Sequence, residues 1–195
     1  MTDSQKRGGE KREKLVAGAA EMLYRHGVEA TTLARVAEAS GVPAGNLYYY
    51  FKTKDDLVRA VIDAQAAQVR AMLAALDGRS GDPVVRLTGL VRRWEDMRDV
   101  VARHGCPLGS LVSELDHRDD GLDVEAARPI SRILDWAEQQ FAALGADRPR
   151  PLAITLFAGI QGGALLANAL RDPEAMSVEV RHLEAWLESG TGLCK

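Results

Sequence analysis

The sequence predicts an all-α protein: a small three-helix head followed by a longer helical body, about nine helices in all. Three observations predict it. Ala and Leu dominate the chain, and both favour helix. Apolar residues recur at three- and four-residue spacing, and no β-branched run alternates strictly as a half-buried strand would. Gly, Pro, Thr and Asp fall where helix starts and stops are needed.

Each element can be justified in order. Residues 1–9 are polar and contain paired glycines, so they read as an arm. From Glu10, Leu15, Ala19, Met22 and Leu23 mark a first helix that stops at His26-Gly27. Thr31 and Thr32 precede Leu33-Ala34-Arg35-Val36-Ala37; a threonine hydroxyl can accept a free backbone N–H, so a second helix starts there. It ends near Ser40-Gly41, and a third begins at Ala44. Thr53 and Asp56 form a capping box, with Asp for the usual Glu, that opens a long fourth helix bearing Val61, Val69 and Leu73 on one face.

Asp77–Pro83 is a linker. The next helix turns Val84, Leu87, Leu90, Val91, Trp94 and Met97 inward. His104–Gly109 breaks the chain before a short helix from about Ser110 to Asp116. After Asp119-Asp120-Gly121 comes a helix with Ile130, Ile133, Trp136 and Phe141. Pro149 and Pro151 punctuate. Leu152–Leu170 is apolar around most of its circumference, and Glu174–Leu187 is amphipathic.

Composition excludes several classes. At 46% hydrophobic and 27% charged, the 195-residue chain is an ordinary globular protein. Its net charge of −3 divides unevenly, about +2 over residues 1–60 and −5 over the rest, so a nucleic acid would meet the head. Cys106 and Cys194 are too few and too far apart for a disulfide scaffold. His26, His104, His117 and His182 are scattered, so neither a metal nor a cofactor is expected. No leader and no membrane-length apolar run is read, which points to the cytoplasm and to no membrane partner. Nucleophile elbow, phosphate loop and paired catalytic carboxylates are all missing, so no enzyme is expected.

The segment from Thr31 to Leu57 carries the sharpest chemistry. Two short helices joined by Ala39-Ser40-Gly41-Val42 follow helix-turn-helix grammar, with Gly41 supplying positive φ at the turn. Such a motif sets its second helix into the major groove N-terminus first. Asn46 suits an adenine edge, and Ala44 a thymine methyl. Gly45 allows close backbone approach. Tyrosine hydroxyls and lysines suit phosphates. Tyr48-Tyr49-Tyr50-Phe51 cannot all be buried, because successive side chains point about 100° apart. Tyr50 or Phe51 should pack inward, with Tyr48 and Tyr49 outward.

Thr31-Thr32-Leu33, Val36-Ala37, Ser40-Gly41-Val42 and Gly45–Leu57 together closely resemble the tetracycline-repressor (TetR) family of regulators. Gly105–Gly109, Gln161–Ala167 and Arg171-Asp172-Pro173 look like its LmrA/YxaF-type branch. The resemblance implies a DNA-binding head over residues 1–53 and a ligand-binding, dimerising body over 54–195. It implies DNA contacts from Thr31, Thr32, Ala44, Gly45, Asn46, Tyr48, Tyr49, Lys52 and Lys54. One departure is Ala44, where many members carry a polar or basic residue.

In the body, Met72, Trp94, Met97, Cys106, Leu111, Trp136, Phe141 and Phe157 could line an apolar pocket for an apolar or neutral molecule. The resemblance places a homodimer seam on the last two helices, with Phe157, Gln161, Ala164, Leu165, Asn168, Leu183 and Trp186, and Gln161 and Asn168 could hydrogen-bond across it. Expected partners are a double-stranded inverted-repeat operator, a small-molecule effector and a second copy of the chain. The competing reading is a helical small-molecule-binding or interaction protein that does not bind DNA.

Overall fold

A computed structural model describes residues 3–116, 118 and 120–190, with side chains from Gly8 onward. Among the described residues every regular element is a helix, and there are eleven: α1 (Asp3–Ala30), α2 (Leu33–Ala39), α3 (Ala44–Tyr50), α4 (Lys54–Arg79), α5 (Pro83–Glu95), α6 (Arg98–His104), α7 (Pro107–Leu115), α8 (Leu122–Ala126), α9 (Arg128–Ala143), α10 (Pro149–Leu170) and α11 (Pro173–Ser189). That exceeds the expected nine. The break between α5 and α6 is invisible in the pattern, because Trp94, Met97 and Val101 keep helical spacing across it. The break between α8 and α9 sits just before Pro129, which has no N–H to continue a ladder. The first helix starts at Asp3 rather than Glu10, and α7 at Pro107 rather than Ser110.

The described residues form two compact units. One holds the chain up to Ala67 together with the Ser110–Ala127 stretch; the other holds Gln68–Gly109 and the chain from Arg128. This compact boundary differs from the expected division at residue 53. The reason is packing: Leu57, Val58, Val61 and Ile62 of α4, and Leu111, Leu115, Leu122 and Ala126, bury into one core with Leu15, Leu23, Val36, Leu47 and Phe51. The other unit has its own core around Leu87, Leu90, Trp94, Ile133, Trp136, Leu156, Phe157 and Ile160.

Local chemistry sets the ends. Asp82 and Asp172 accept from the N–H groups of Val84 and Glu174, each just ahead of a proline at the first helical position. Arg171 closes α10 in the left-handed region at φ 55°. Its guanidinium donates to the carbonyl of Arg103 at the C-terminal end of α6, and Asn168 Nδ2 donates to Ala102 O at 3.2 Å.

The sharpest backbone constraint is Gly27, with φ 81° and ψ 169°, which breaks α1 before its last residues. The Glu114 carboxylate accepts from the freed Val28 N–H, and Thr31 Oγ1 donates to Gly27 O at 2.7 Å. A Cβ at Gly27 would lie 2.7 Å from Glu114 Oε2. Gly27→Ala is therefore expected to lower stability by about 2–3 kcal/mol, through backbone strain and displacement of the carboxylate. A urea unfolding curve checks it; an unchanged midpoint would refute the account.

Candidate nucleic-acid interface

The helix-turn-helix is built by its turn. Gly41 N–H donates to Glu38 O at 3.1 Å and Val42 N–H to Ala37 O at 3.1 Å, with Gly41 at φ 62°. This paired closure needs a residue that tolerates the left-handed region. It swings Val42 into the core beside Val36 and Ala37, all three buried. Leu47 and Phe51 anchor α3 from the same side, at 0% and 2% exposure.

With those two inward, the remainder of α3 faces out. Tyr48 is 50% and Tyr49 74% exposed. Ala44 and Gly45 are exposed, and Asn46 is half-buried at the first turn. Pro43 precedes α3 and supplies no side-chain cap. Tyr50 is half-buried: its hydroxyl donates to Gly8 O at 3.0 Å, and its ring meets Tyr49 edge-on at 5.1 Å. Arg12 lies over the Phe51 ring at 5.4 Å, so α1 braces α3 from behind.

The start of α2 needs one correction. Thr32 is exposed and caps the helix by accepting from Arg35 N at 3.3 Å. Thr31 is 2% exposed with its hydroxyl given to Gly27, so it is a structural residue rather than a surface one. A run of two threonines does not reveal which is inward.

The two lysines flank the start of α4. Lys52 Nζ donates to Tyr48 O at 2.9 Å, and Lys54 Nζ to Glu29 O at 3.2 Å. Both bonds leave two ammonium protons available. Between them stands the expected capping box. Asp56 Oδ2 accepts from the N–H groups of Thr53 at 2.9 Å and Lys52 at 3.1 Å, while Asp56 N–H donates to Thr53 Oγ1 at 3.1 Å. The Thr53 N–H, its hydroxyl and the Lys52 N–H hold the Asp56 carboxyl below the ordinary aspartate range. Since the folded-state value is depressed, the cap is intact above the ordinary value. It should be lost as pH falls through the folded-state value, below the ordinary one. A carboxyl-carbon NMR titration of Asp56 checks this; a midpoint at or above that of an unstructured aspartate would refute it.

In the body, the predicted ligand residues largely share one core. Trp94, Cys106, Trp136, Phe141 and Phe157 are buried together, with Met72 and Met97 half-buried against them. Leu111 is the exception, since it packs in the other unit's core. Trp94 and Phe157 meet edge to face at 5.9 Å. A hollow of about 350 Å³ among Leu76, Arg79, Val84, Arg86, Gly89 and Arg92 involves none of the predicted ligand residues. Its Arg86 is committed to Ser80 O, Asp77 O and Gln140. Cys194 and His117 lie outside the described residues.

The seam residues divide. Phe157, Ala164 and Leu183 are buried within their own subunit and are not on the surface. Gln161 Nε2 donates to Cys106 Sγ at 3.3 Å and Asn168 Nδ2 to Ala102 O at 3.2 Å, so each amide makes one bond inside the subunit. Trp186 is half-buried on Phe141, with rings 5.9 Å apart. Leu165, however, is 69% exposed, and Ile154, Leu166 and Leu170 of α10 and Val178 of α11 join it. These four had no place in the sequence reading. At 100° per residue Ile154, Leu165, Leu166 and Leu170 share one arc of α10 with Ala158 and Gly162, opposite Leu156, Ile160 and Ala167. Contrary to expectation, α10 is long and apolar enough by composition to cross a membrane, because it is apolar on both faces.

Residues 15–61 match the family described as "Bacterial regulatory proteins, tetR family". The transcriptional regulator TtgR of Pseudomonas putida is 36% identical over 95% of this chain and 92% of its own. An uncharacterised regulator of Mycobacterium tuberculosis, Rv0196, is 28% identical over 88% of this chain and 91% of its own. In fold, the TetR-family regulator SCO4454 of Streptomyces coelicolor superposes with a TM-score of 0.81 at 22% identity, covering 93% of this chain and 96% of that one.

Proposed function

The chain belongs to the TetR family and is a DNA-binding transcriptional regulator; from that premise we propose that it is a cytoplasmic repressor that binds an inverted-repeat operator as a homodimer and is released by a small apolar or neutral molecule. The observation that carries the DNA reading is the outward face of α3: Tyr48 and Tyr49 are exposed beside Asn46, while Leu47 and Phe51 lock the helix from behind. Thr32, Ala44, Gly45, Asn46, Tyr48, Tyr49, Lys52 and Lys54 are the proposed contacts. Ala44 and Gly45 leave the helix start bare, so Asn46 reads the base edge and the tyrosines and lysines hold phosphates.

Residues 1–53, with Lys54 at the start of α4, carry the reading surface, and the rest of the chain supplies its support and the ligand-binding, dimerising part. The exposed apolar arc of α10 and Val178 of α11 form the seam with a second copy. A two-fold dimer presents two α3 helices to successive major grooves, which requires half-sites a helical turn or more apart. The same seam accounts for the apolar outer face of α10 without a membrane. Effector release needs a ligand that binds the DNA-incompetent arrangement better. The long helix α4, which starts in the first unit and ends in the second, carries that difference. Assignment to an LmrA/YxaF-like branch rests on Gly105–Gly109, Gln161–Ala167 and Arg171-Asp172-Pro173.

A gel shift with the promoter beside the protein's own gene tests the reading. Binding to one inverted repeat, and loss of binding on scrambling either half, is expected. Equal affinity for scrambled DNA would leave a helical binding protein without an operator.

A further inference from the structure

We infer that the effector carries a hydrogen-bond acceptor, such as a ketone or ether oxygen, on an otherwise apolar, uncharged frame, and that the Trp94 indole N–H receives it. This rests on the body being the ligand-binding part. Trp94 is 5% exposed, and its Nε1 is buried with no hydrogen-bond partner. An indole nitrogen is a donor only, so it needs an acceptor, and the protein offers it none. Buried donors left unmade cost about 1–3 kcal/mol, and native folds keep few of them. The same core shows the usual solution: Trp136 Nε1 donates to Asp77 Oδ1 at 3.0 Å. Around Trp94, Phe157 offers a ring at 5.9 Å, a far weaker acceptor than an oxygen.

A second polar group stands nearby. Gln161 lies one turn beyond Phe157 on the same face of α10. Its Nε2–H is spent on the Cys106 thiol, a weak acceptor, at 3.3 Å. Gly109 leaves room for this amide, since a Cβ there would come 2.8 Å from Gln161 Oε1. A ligand oxygen is the better partner for both donors. Among the described residues the buried polar side chains are Thr31, Gln140 and Ser177, none of them charged. Glu95, next to Trp94, also buries its Oε2 without a hydrogen-bond partner, but its Oε1 accepts from Arg98 and Ser177. Its charge therefore already has a guanidinium, and it disfavours an anion; an uncharged frame fits best.

The test uses matched probes of nearly equal shape: acetophenone against ethylbenzene, and fluorenone against fluorene. Full-length protein labelled with ¹⁵N-tryptophan gives an indole N–H signal for Trp94, Trp136 and Trp186, assigned by single Phe substitutions. The ketones should bind about tenfold tighter than their hydrocarbons and move the Trp94 proton downfield, leaving Trp136 in place. Trp94→Phe should abolish that preference but keep hydrocarbon binding; Trp136→Phe should keep the preference. Ketone and hydrocarbon binding equally, or a preference that survives Trp94→Phe, overturns the donor role while the ligand-binding body stands. If no probe perturbs any body resonance, the ligand-binding reading falls with it. The shift on wild-type protein needs no variant to fold.

Discussion

Alanine at both Tyr48 and Lys54 is expected to weaken operator binding by about 100-fold or more. A hydrogen bond to a charged group contributes about 1.5–3 kcal/mol, and the dimer loses two such contacts at each half-site. Tyr48 stands half-exposed on α3, and Lys54 Nζ makes a single bond to Glu29 O, so neither residue holds up the core. The loss should be uniform across operator sequences, and the slope of log affinity against log salt should fall by about one for each lysine contact removed. Asn46→Ala differs in kind. It should cost about 1–3 kcal/mol and flatten preference at one base position only. Fluorescence anisotropy with operator variants at several salt concentrations separates the two effects. A double variant that holds its operator as tightly as the parent would sink the interface.

Leu166→Glu is expected to raise the dimer dissociation constant by more than about 1000-fold. Leu166 is 56% exposed in the subunit, and α10 turns its opposite face to the core. The folded monomer therefore loses little. In the dimer, two-fold symmetry places the change in the seam twice. Each copy forfeits about 1.5–3 kcal/mol of apolar burial and strands an unpaired carboxylate costing several more. Sedimentation should show a monomer, near-UV circular dichroism a retained fold, and the gel shift a loss of tight binding. Leu156→Glu, aimed inward at 0% exposure, should instead unfold the body. A Leu166→Glu protein that stays dimeric would move the seam elsewhere.

What the sequence made legible was local. Gly41, Thr32 and the Thr53/Asp56 box stand where backbone geometry requires them, and three or four residues suffice to read each. Helical phase put Tyr48 and Tyr49 outward but left the inward place open between Tyr50 and Phe51; the structure gives it to Phe51, with Tyr50 half-buried. The body failed in the same terms. Because α10 is apolar around its circumference, its pattern has no phase, so Phe157 and Ala164 could not be told from Leu166 and Leu170. Leu111 has the spacing of a core residue, but spacing does not say which core. The orphan on Trp94 depends on what lies across from it, which no local pattern encodes.

The chain passes between its two units at Ala67, Gly109 and Ala127, twice inside a continuous helix. The consequence is practical for anyone rewiring such regulators. A reader transplanted as its leading 67 residues leaves behind Leu111, Leu115, Leu122 and Ala126, and with them part of the floor beneath it. It also leaves Glu114, the carboxylate that receives Val28 N–H at the Gly27 bend. Chimeras should carry the later stretch as well, or swap only the outward residues of α3 on an otherwise native frame.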